Sequence, residues 1–277
     1  MTRTQSEKAE LFHALHHDQG ILTLPNAWDV ASARIVVAAG AAAVATTSAG
    51  VAWSLGAADG GNLTGDEAIG LVARVAAAVD VPMTADIEAG YADSAESVAR
   101  TVRLVIEAGA VGVNLEDGWD VGDSPLRPAG QQAERLAAAR AAADASGVRL
   151  FINARTDNYL FGVGEPEGRL AATLERAALY VAAGADGVFV PGVVDPETIA
   201  ELAKEIDAPL NIMAGPGSPP VRKLADLGVA RVSTGAASPL AAYAAARRAA
   251  VELLTAGTYE ALACDLTFPE LNALLRR

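Results

Sequence analysis

The sequence predicts a single (β/α)₈ barrel domain, because short apolar segments alternate with longer helical ones along the whole chain. Eight candidate strands rich in Val, Ile and Ala are separated by Ala-, Leu-, Arg- and Glu-rich stretches, the pattern of parallel βα units. No GxGxxG motif follows the first strand, which disfavours an open, doubly wound sheet. No Pro/Ser-rich linker divides the 277 residues, so we expect one α/β domain.

The predicted elements follow one another in strict alternation. Two joins, EAGAVGVNL (107–115) and AAGADGVFV (182–190), place Gly between a helix and the next strand, as expected when the residue after a helix is left-handed. Residues 258–277 form a helical extension beyond the barrel, which we expect to pack on a neighbouring element or subunit. The candidate strands are 21–27, 42–48, 81–88, 110–117, 150–157, 187–193, 209–214 and 231–235, and the helices between them include 66–79, 94–107, 131–145 and 167–183.

Composition limits the partners of this chain. The net charge of −13 and the pI of about 4.6 argue against nucleic acid and anionic membranes. The single cysteine, Cys264, excludes a disulfide framework, and the first twenty residues lack the apolar core of a signal peptide. Apolar runs such as 36–45 are too short to cross a bilayer. We therefore expect a soluble, cytoplasmic protein whose partner is a small molecule.

Acidic side chains follow the predicted strands where a barrel places its chemistry. Asp86 and Glu88 are two residues apart in one predicted strand, so they point the same way, and Glu116 ends the next strand. Three clustered carboxylates predict a cation held by oxygen ligands, Mg²⁺ or alternatively Mn²⁺, with waters completing the octahedron. The alternative is that strand-end acids cap helices or pair with Arg155, and Asp117 and Asp157 are candidates for such helix caps.

One basic residue, Arg155, occupies a predicted strand end. It suits bidentate recognition of a carboxylate or stabilisation of developing oxyanion charge, and an ion pair with the acidic cluster is compatible with either role. The segment Ser48-Ala49-Gly50 offers a hydroxyl and a turn of small residues whose backbone N–H groups could hold a carboxylate. An ordinary βα turn is the alternative for that segment.

Residues that are absent from the predicted strand ends narrow the chemistry. Every lysine falls in a helical segment, which disfavours a Schiff-base enzyme. The histidines crowd the N-terminal helix, and Cys264 lies near the C-terminus. Carboxylates, an arginine, tyrosines and a metal form a set that polarises a carbonyl group and holds an enolate. The lysines are Lys8, Lys204 and Lys223, and the histidines are His13, His16 and His17.

Several segments resemble the isocitrate lyase/phosphoenolpyruvate mutase superfamily. TADIEAGY (84–91), followed one βα unit later by GVNLEDG (112–118), is specific for that family. The resemblance covers most of the chain and implies a (β/α)₈ barrel enzyme. The other matching segments are LPNAWDVASAR (24–34), ATTSAGVAWSLG (45–56), NARTDNY (153–159), GADGVFVPG (184–192) and PLNIMAGPG (209–217).

The resemblance also implies roles for single residues. Asp86, Glu88 and Glu116 look like the acids around the family's metal, although many relatives carry aspartate where this chain has Glu88. Family members commonly form tetramers with exchanged C-terminal helices, so we expect a homo-oligomer, either a tetramer or a dimer. By position, Asp59 matches an acid on a mobile loop that closes over the substrate. Ser48, together with Ala49 and Gly50, matches the turn that receives the substrate carboxylate. Arg155 matches an arginine that contacts substrate, and Asn211 resembles a substrate-side asparagine of the lyases.

Two departures from the family pattern bear on the reaction. Isocitrate and methylisocitrate lyases carry a Lys-Cys-Gly-His loop after the acid of the fourth strand, whereas this chain reads GWDVGDSPLRP (118–128). The mutase branch carries a histidine where this chain has Pro191. Isocitrate cleavage is therefore rejected, phosphonopyruvate-type chemistry is disfavoured, and the 118–128 loop is expected to set specificity.

The remaining reaction that needs neither Cys nor His is decarboxylation. We predict a Mg²⁺-dependent carbon–carbon lyase acting through an enolate on a small 2-oxo acid, with oxaloacetate as the simplest substrate. In this reaction Mg²⁺ and Arg155 would hold the enolate, a water or a tyrosine would reprotonate it, and Glu116 is a further candidate catalytic residue. One alternative is hydrolytic or retro-Claisen cleavage of a related 2-oxo or 2-hydroxy acid, with Asp59 activating a water. A barrel that binds a metabolite without turnover is the non-enzymatic alternative.

Overall fold

The computed structural model describes residues 3–17, 20–91, 93–118 and 125–276 as a parallel barrel ringed by helices. Nine strands of the described residues pair in the order β1-β9-β8-β7-β6-β5-β4-β3-β2, and neighbouring strands pair in parallel. The strands are β1 (Leu22–Leu24), β2 (Asn26–Ala27), β3 (Val44–Thr46), β4 (Met83–Asp86), β5 (Gly112–Glu116), β6 (Phe151–Arg155), β7 (Gly187–Val190), β8 (Leu210–Met213) and β9 (Arg231–Ser233).

Helices precede, connect and follow these strands. They are α1 (Gln5–His17), α2 (Val30–Ala38), α3 (Ser48–Ser54), α4 (Gly65–Ala78), α5 (Ala95–Glu107), α6 (Ala129–Ser146), α7 (Pro166–Ala182), α8 (Pro196–Glu205), α9 (Val221–Asp226), α10 (Ala237–Thr255) and α11 (Phe268–Leu275), with a 3₁₀ turn at Glu260–Leu262. The predicted (β/α)₈ barrel with an additional C-terminal helical segment is confirmed.

The first predicted strand closes the barrel in two pieces. Its first part, β1, pairs with β9, while β2 pairs with β3 on the other side. Pro25 separates the two parts, because proline has no N–H to contribute to a strand ladder. The segment therefore counts as one of eight strand positions, although it is split where it changes partner.

The Gly residues at the two predicted joins adopt the expected conformation. Gly109 after α5 has φ of 98° and Gly184 after α7 has φ of 101°. A side chain at either position would be strained in this left-handed region. These turns bring each chain segment directly from its helix into the next strand, so the strand ends point to one face of the barrel.

The barrel interior changes from apolar to polar along its axis. At the N-terminal end, Phe12 and His16 of α1 pack on Phe151, with the His16 and Phe151 rings stacked at a centroid distance of 3.9 Å. Above them lie buried polar side chains, including Asn114 and Arg231. The apolar core lies mainly between the sheet and the surrounding helices, as buried Val, Leu, Ile and Ala side chains.

The C-terminal extension returns to the barrel wall of its own chain. In α11, the carbonyl of Leu274 accepts a hydrogen bond from Arg34 Nη1 of α2 at 2.7 Å. Of the two expectations for residues 258–277, packing within the chain is therefore observed for α11. Among the described helices, none combines the length and the apolar character that a bilayer crossing requires.

Candidate active site

Two adjoining cavities open at the carboxyl ends of the strands. The first has a volume of about 440 Å³ and is lined by Asp86, Asn114, Phe189 and other residues. The second has a volume of about 480 Å³ and is lined by Glu88, Glu116 and their neighbours. The side chains common to both linings are Ser48, Asp59, Arg155 and Leu160. The two cavities thus form one candidate site, with the predicted acids and Arg155 around it.

Asp86 ends β4 and is held from two sides. Its backbone N–H donates to Thr46 Oγ1 at 2.9 Å, and its Oδ2 accepts from the Ser48 N–H at 3.0 Å. Its Oδ1 is buried and has no hydrogen-bond partner among the described residues. A buried carboxylate oxygen that lacks a donor is expected to receive a water or a cation.

Glu88 lies beyond the end of β4, so the alternation of side chains along a strand does not determine where it points. The strand ends at Asp86, and Glu88 has a left-handed φ of 52°, so the prediction that both acids lie on one strand face is wrong. Its Oε2 accepts the Gly61 N–H at 2.8 Å, which ties Glu88 to the loop that carries Asp59. Burial and the charge of Asp86 raise the pKa of Glu88 against that hydrogen bond.

Arg155 is shared between two carboxylates. Its Nη1 lies 2.8 Å from Glu116 Oε2, and its Nε lies 2.7 Å from Asp157 Oδ1. Burial opposes the charge of Arg155, yet these two acids hold its pKa above its ordinary value. Burial raises the pKa of Glu116 to about 8 against the opposing effect of Arg155, and Asp157 and Asp86 act in the same direction as burial. Arg155 therefore stays charged while Glu116 can exchange a proton near neutral pH.

Asp117 and Asp157 are ion-pair partners rather than helix caps. The N-cap residues of α6 and α7 are Pro128 and Glu165. Asp117 Oδ2 accepts from the Tyr180 hydroxyl at 2.7 Å and from Arg176 at 3.0 Å.

The backbone joins these groups to the arginine of the site. Asp117 Oδ1 accepts the Asp157 N–H at 3.0 Å, and Asp157 in turn holds Arg155. We call Asp117, Arg176 and Tyr180 the α7 brace. The brace fixes the backbone beside Arg155 from the outer layer of the barrel.

Asp59 lies between the two cavities, in the loop between α3 and α4. Burial and the charge of Asp86 raise its pKa, whereas the Gly60 backbone, Arg155 and the Ser48 hydroxyl act in the opposite direction. A carboxylate with a raised pKa next to a cavity can take up a proton there. Asp59 thus lines both cavities, and its expected role on a loop that closes over the substrate stays a prediction.

The segment Ser48-Ala49-Gly50 is the first turn of α3 rather than an open turn. The Ser48 N–H already donates to Asp86. Ser48 and Ala49 line the first cavity, but Gly50 lines neither cavity. A Cβ at Gly50 would lie 2.7 Å from Trp28 Cβ, so close packing explains this glycine. The prediction that Gly50 belongs to a carboxylate-binding turn is therefore not supported by its position.

Asn211 lies below the cavities, inside the barrel. Its Oδ1 accepts from Asn153 at 3.1 Å, and its Nδ2 donates to Ser233 Oγ at 3.1 Å. Ser233 and Asn114 line the first cavity, whereas Asn211 does not. Both ends of the Asn211 amide are engaged by neighbouring strands, and its contact with substrate stays a prediction.

Sequence reasoning missed part of the second cavity wall. Arg127 lines this cavity, and its Nη2 lies 3.0 Å from Asp93 Oδ1. These two residues are 34 positions apart, and no local pattern relates them. Residues 119–124, the middle of the segment expected to set specificity, lie outside the described residues.

The acids fit a hydrated Mg²⁺ ion better than a fully protein-ligated one. Across the described ranges, no three Asp, Glu, His or Cys side chains converge closely enough to ligate a single ion. Mg²⁺ retains several waters and needs only one or two direct carboxylates. Asp86 Oδ1 offers a free buried oxygen, and Glu88 and Glu116 line the adjoining cavity. Asp86 would then hold the ion directly, and the two glutamates would bind its waters.

Comparison with known proteins identifies the family. The family model for phosphoenolpyruvate phosphomutase matches residues 12–254. The chain is 34% identical to 2-methylisocitrate lyase of Escherichia coli K12, over 76% of this chain and 71% of that protein. It belongs to the isocitrate lyase/phosphoenolpyruvate mutase superfamily. The resemblance inferred from the sequence motifs is thus confirmed.

Solved structures agree with this membership. A Burkholderia cenocepacia J2315 protein proposed to be a lyase or mutase superposes with a TM-score of 0.92 at 38% identity, covering 98% of this chain and 97% of that one. Oxaloacetate acetylhydrolase in complex with oxalate superposes with a TM-score of 0.85 at 25% identity, covering 98% and 94%. The superfamily comprises Mg²⁺-dependent lyases, mutases and hydrolases of small organic acids.

Proposed function

We propose that this protein is a Mg²⁺-dependent carbon–carbon lyase that decarboxylates a small 2-oxo acid of the oxaloacetate type. The observation that carries the proposal is the combination at the strand ends of a free buried oxygen on Asp86 with a charged Arg155. The described residues that line the two cavities include no Lys, Cys or His. This set suits a reaction that requires neither a nucleophile nor a strong base.

The chain's own groups can bind, orient and hold charge during such a reaction. When bound, Mg²⁺ would draw electrons toward the C2 oxygen of the substrate. Arg155 faces the cavity and would stabilise the oxyanion that develops at C2 as the C3–C4 bond breaks and CO₂ leaves. The electron pair of that bond becomes the C2–C3 double bond of the enolate. A proton then returns to C3 through water, and Glu116, which lines the second cavity, is placed to relay it.

Hydrolytic cleavage is the second candidate, and one observation favours it. Asp59 adjoins both cavities with a raised pKa, so it can accept a proton from a water that attacks C2. The C2–C3 bond would then break to give oxalate and acetate. The similar oxaloacetate acetylhydrolase structure contains oxalate, which is the product of this cleavage.

The test is consumption of oxaloacetate with and without Mg²⁺, with the products identified by NMR. We expect pyruvate and CO₂ from the wild type and a rate lower by about two orders of magnitude in Asp86→Asn, the scale of losing one preorganised electrostatic group. Asp144→Asn, on the exposed end of α6, is the matched control and should retain the wild-type rate.

The products separate the candidates. Formation of oxalate and acetate would show that the protein hydrolyses oxaloacetate and does not decarboxylate it. Pyruvate and phosphate from phosphonopyruvate would indicate phosphorus–carbon chemistry. Mg²⁺-dependent binding of 2-oxo acids without any product would leave a metabolite-binding barrel and overturn the enzymatic proposal.

A further inference from the structure

Arg231, one of the buried arginines, lies inside the barrel beneath the candidate site. It begins β9, in register with Leu22 of β1 and Asn211 of β8. Only 1% of its surface is exposed, and it is the largest fully buried side chain among the described residues. No sequence pattern indicates this burial, because an arginine at the start of a strand next to a loop is usually solvated.

The guanidinium of Arg231 has no anionic partner in the described part of the chain. Its Nη2 donates to Asn114 Oδ1 at 3.3 Å, whereas its Nε and Nη1 have no hydrogen-bond partner there. None of the ion pairs formed between described residues includes Arg231. Burial lowers its pKa to about 9, and the charge of Asp86 opposes that shift. Arg231 is therefore a cation at neutral pH.

Stability alone does not account for such a residue. An unpaired charge in a protein interior destabilises the fold, and replacing buried charges by apolar groups of similar volume is often neutral or stabilising. The interior of this fold is ordinarily filled by layers of branched apolar side chains. Groups that oppose stability in this way are commonly retained at functional sites.

Arg231 is separated from the first cavity by a single hydrogen-bonded side chain, Asn114. Asn114, its hydrogen-bond partner, lines the first cavity and is in register with Asp86 on the adjacent strand. Arg155 lies within 2.8 Å of a Glu116 oxygen and within 2.7 Å of an Asp157 oxygen, so its charge already faces carboxyl groups. Arg231 thus contributes positive charge beneath a cavity whose other ionisable groups are mostly acids.

We propose that Arg231 is a positioning residue whose uncompensated charge favours the binding of a dianionic oxo acid, or its enolate, above it. This inference rests on the proposed function for the identity of the anion, but not for the charge itself. A buried unit charge that acts over about 10 Å at an effective dielectric constant near 20 changes the binding of another unit charge by roughly tenfold. The same charge repels a divalent cation in the cavity.

The experiment uses the full-length protein and isothermal titration with two probes, Mg²⁺ alone and oxalate in saturating Mg²⁺. Arg231→Met removes the charge at similar volume, and Arg231→Lys keeps it. The matched control is Arg140→Met, since Arg140 is a partly buried arginine paired with Asp186 near the opposite end of the strands. Thermal unfolding of each variant reports whether the fold is retained.

We expect Arg231→Met to bind oxalate at least tenfold more weakly and Mg²⁺ alone at least tenfold more tightly, with an unfolding temperature equal to or above that of the wild type. Arg231→Lys should restore both affinities to within about threefold. Arg140→Met should bind both probes normally. Opposite changes for the cation and the anion are specific to electrostatics, because a distorted site would weaken both.

Two results would overturn the inference: unchanged affinities in Arg231→Met, or a parallel loss of both affinities that lysine does not rescue. A wild-type protein that binds Mg²⁺ but not oxalate would contradict the proposed function instead. In that case the Mg²⁺ titration still decides about Arg231, because removing its charge must strengthen Mg²⁺ binding. Absence of Mg²⁺ binding in the wild type would refute both.

Discussion

At the scale of single residues, burial decides which groups can change charge. Glu116 is surrounded by the barrel and other acids, and its pKa rises to about 8 although Arg155 lies 2.8 Å away. His16, at the other end of the barrel, is buried against Phe151, and its ring Nδ1 lies 2.7 Å from the Phe12 carbonyl. The pKa of each group differs from its value in water chiefly because the folded chain buries the group, and the adjacent residues in the sequence are not the main cause of the shift.

His16 leads to a prediction about acid stability. Burial, followed by the charge of Arg231, lowers the pKa of His16 to about 3, so the folded protein holds this ring neutral. The unfolded chain takes up a proton near pH 6.5, and the stability contributed by His16 is therefore present above that pH and is lost as the pH falls toward 3. Between pH 7 and pH 5 the free energy of unfolding should fall by about 2 kcal/mol from this residue.

Urea unfolding at the two pH values checks this prediction. His16→Gln should reduce the pH dependence by that amount, whereas His17→Gln, at an exposed position of the same helix, should leave it unchanged. Equal pH dependence in the wild type and in His16→Gln would contradict the assignment.

At the scale of elements, α7 supports the site through its inner face. Tyr180 is fully buried, and its hydroxyl donates to Asp117, which holds the backbone of Asp157. Burial and the charge of Asp117 raise the pKa of Tyr180, so it remains a donor at any physiological pH. The helix therefore connects the outer layer of the barrel with the end of β6, where Arg155 lies.

Tyr180→Phe tests the α7 brace. Losing a buried hydroxyl that bonds to a charged group should lower the free energy of unfolding by about 1.5–3 kcal/mol. Urea unfolding measures this loss, and Tyr243→Phe, an exposed tyrosine of α10, serves as the control with little expected change. Equal stability of Tyr180→Phe and the wild type would show that water replaces the lost hydroxyl and that the brace is dispensable.

At the scale of the whole molecule, the C-terminal part exposes a large apolar surface. Leu254 and Phe268 are each 83% exposed, and Tyr259 is 66% exposed. Large apolar side chains that a single chain leaves in water are commonly covered by symmetric self-association. We therefore predict that the chain forms a homo-oligomer through this surface.

Phe268→Asp combined with Leu254→Asp should lower the mass measured by light scattering after size-exclusion chromatography. Leu179→Asp, an exposed leucine on α7, is the control and should retain the assembly. A wild-type mass equal to 28.2 kDa would contradict self-association altogether.

The fold and most of the site acids could be predicted because they depend on local pattern. Alternating strand and helix segments fix a parallel barrel, and a parallel barrel brings Asp86, Glu116 and Arg155 to one face wherever their strands end. Glu88 lines the second cavity, but the two-residue spacing does not explain this position, because the spacing does not reveal its left-handed backbone.

The sequence by itself determined the family, the barrel and the candidate acids, since short motifs and periodicity carry that information. Only the tertiary structure decided which polar groups are satisfied. It enclosed Asn211 below the cavity, paired Arg155 with two carboxylates and, within the described part of the chain, left Arg231 without one. Burial and ion pairing depend on contacts between strands far apart in the chain, such as Arg231 with Asn114 across 117 positions, and no local pattern encodes them.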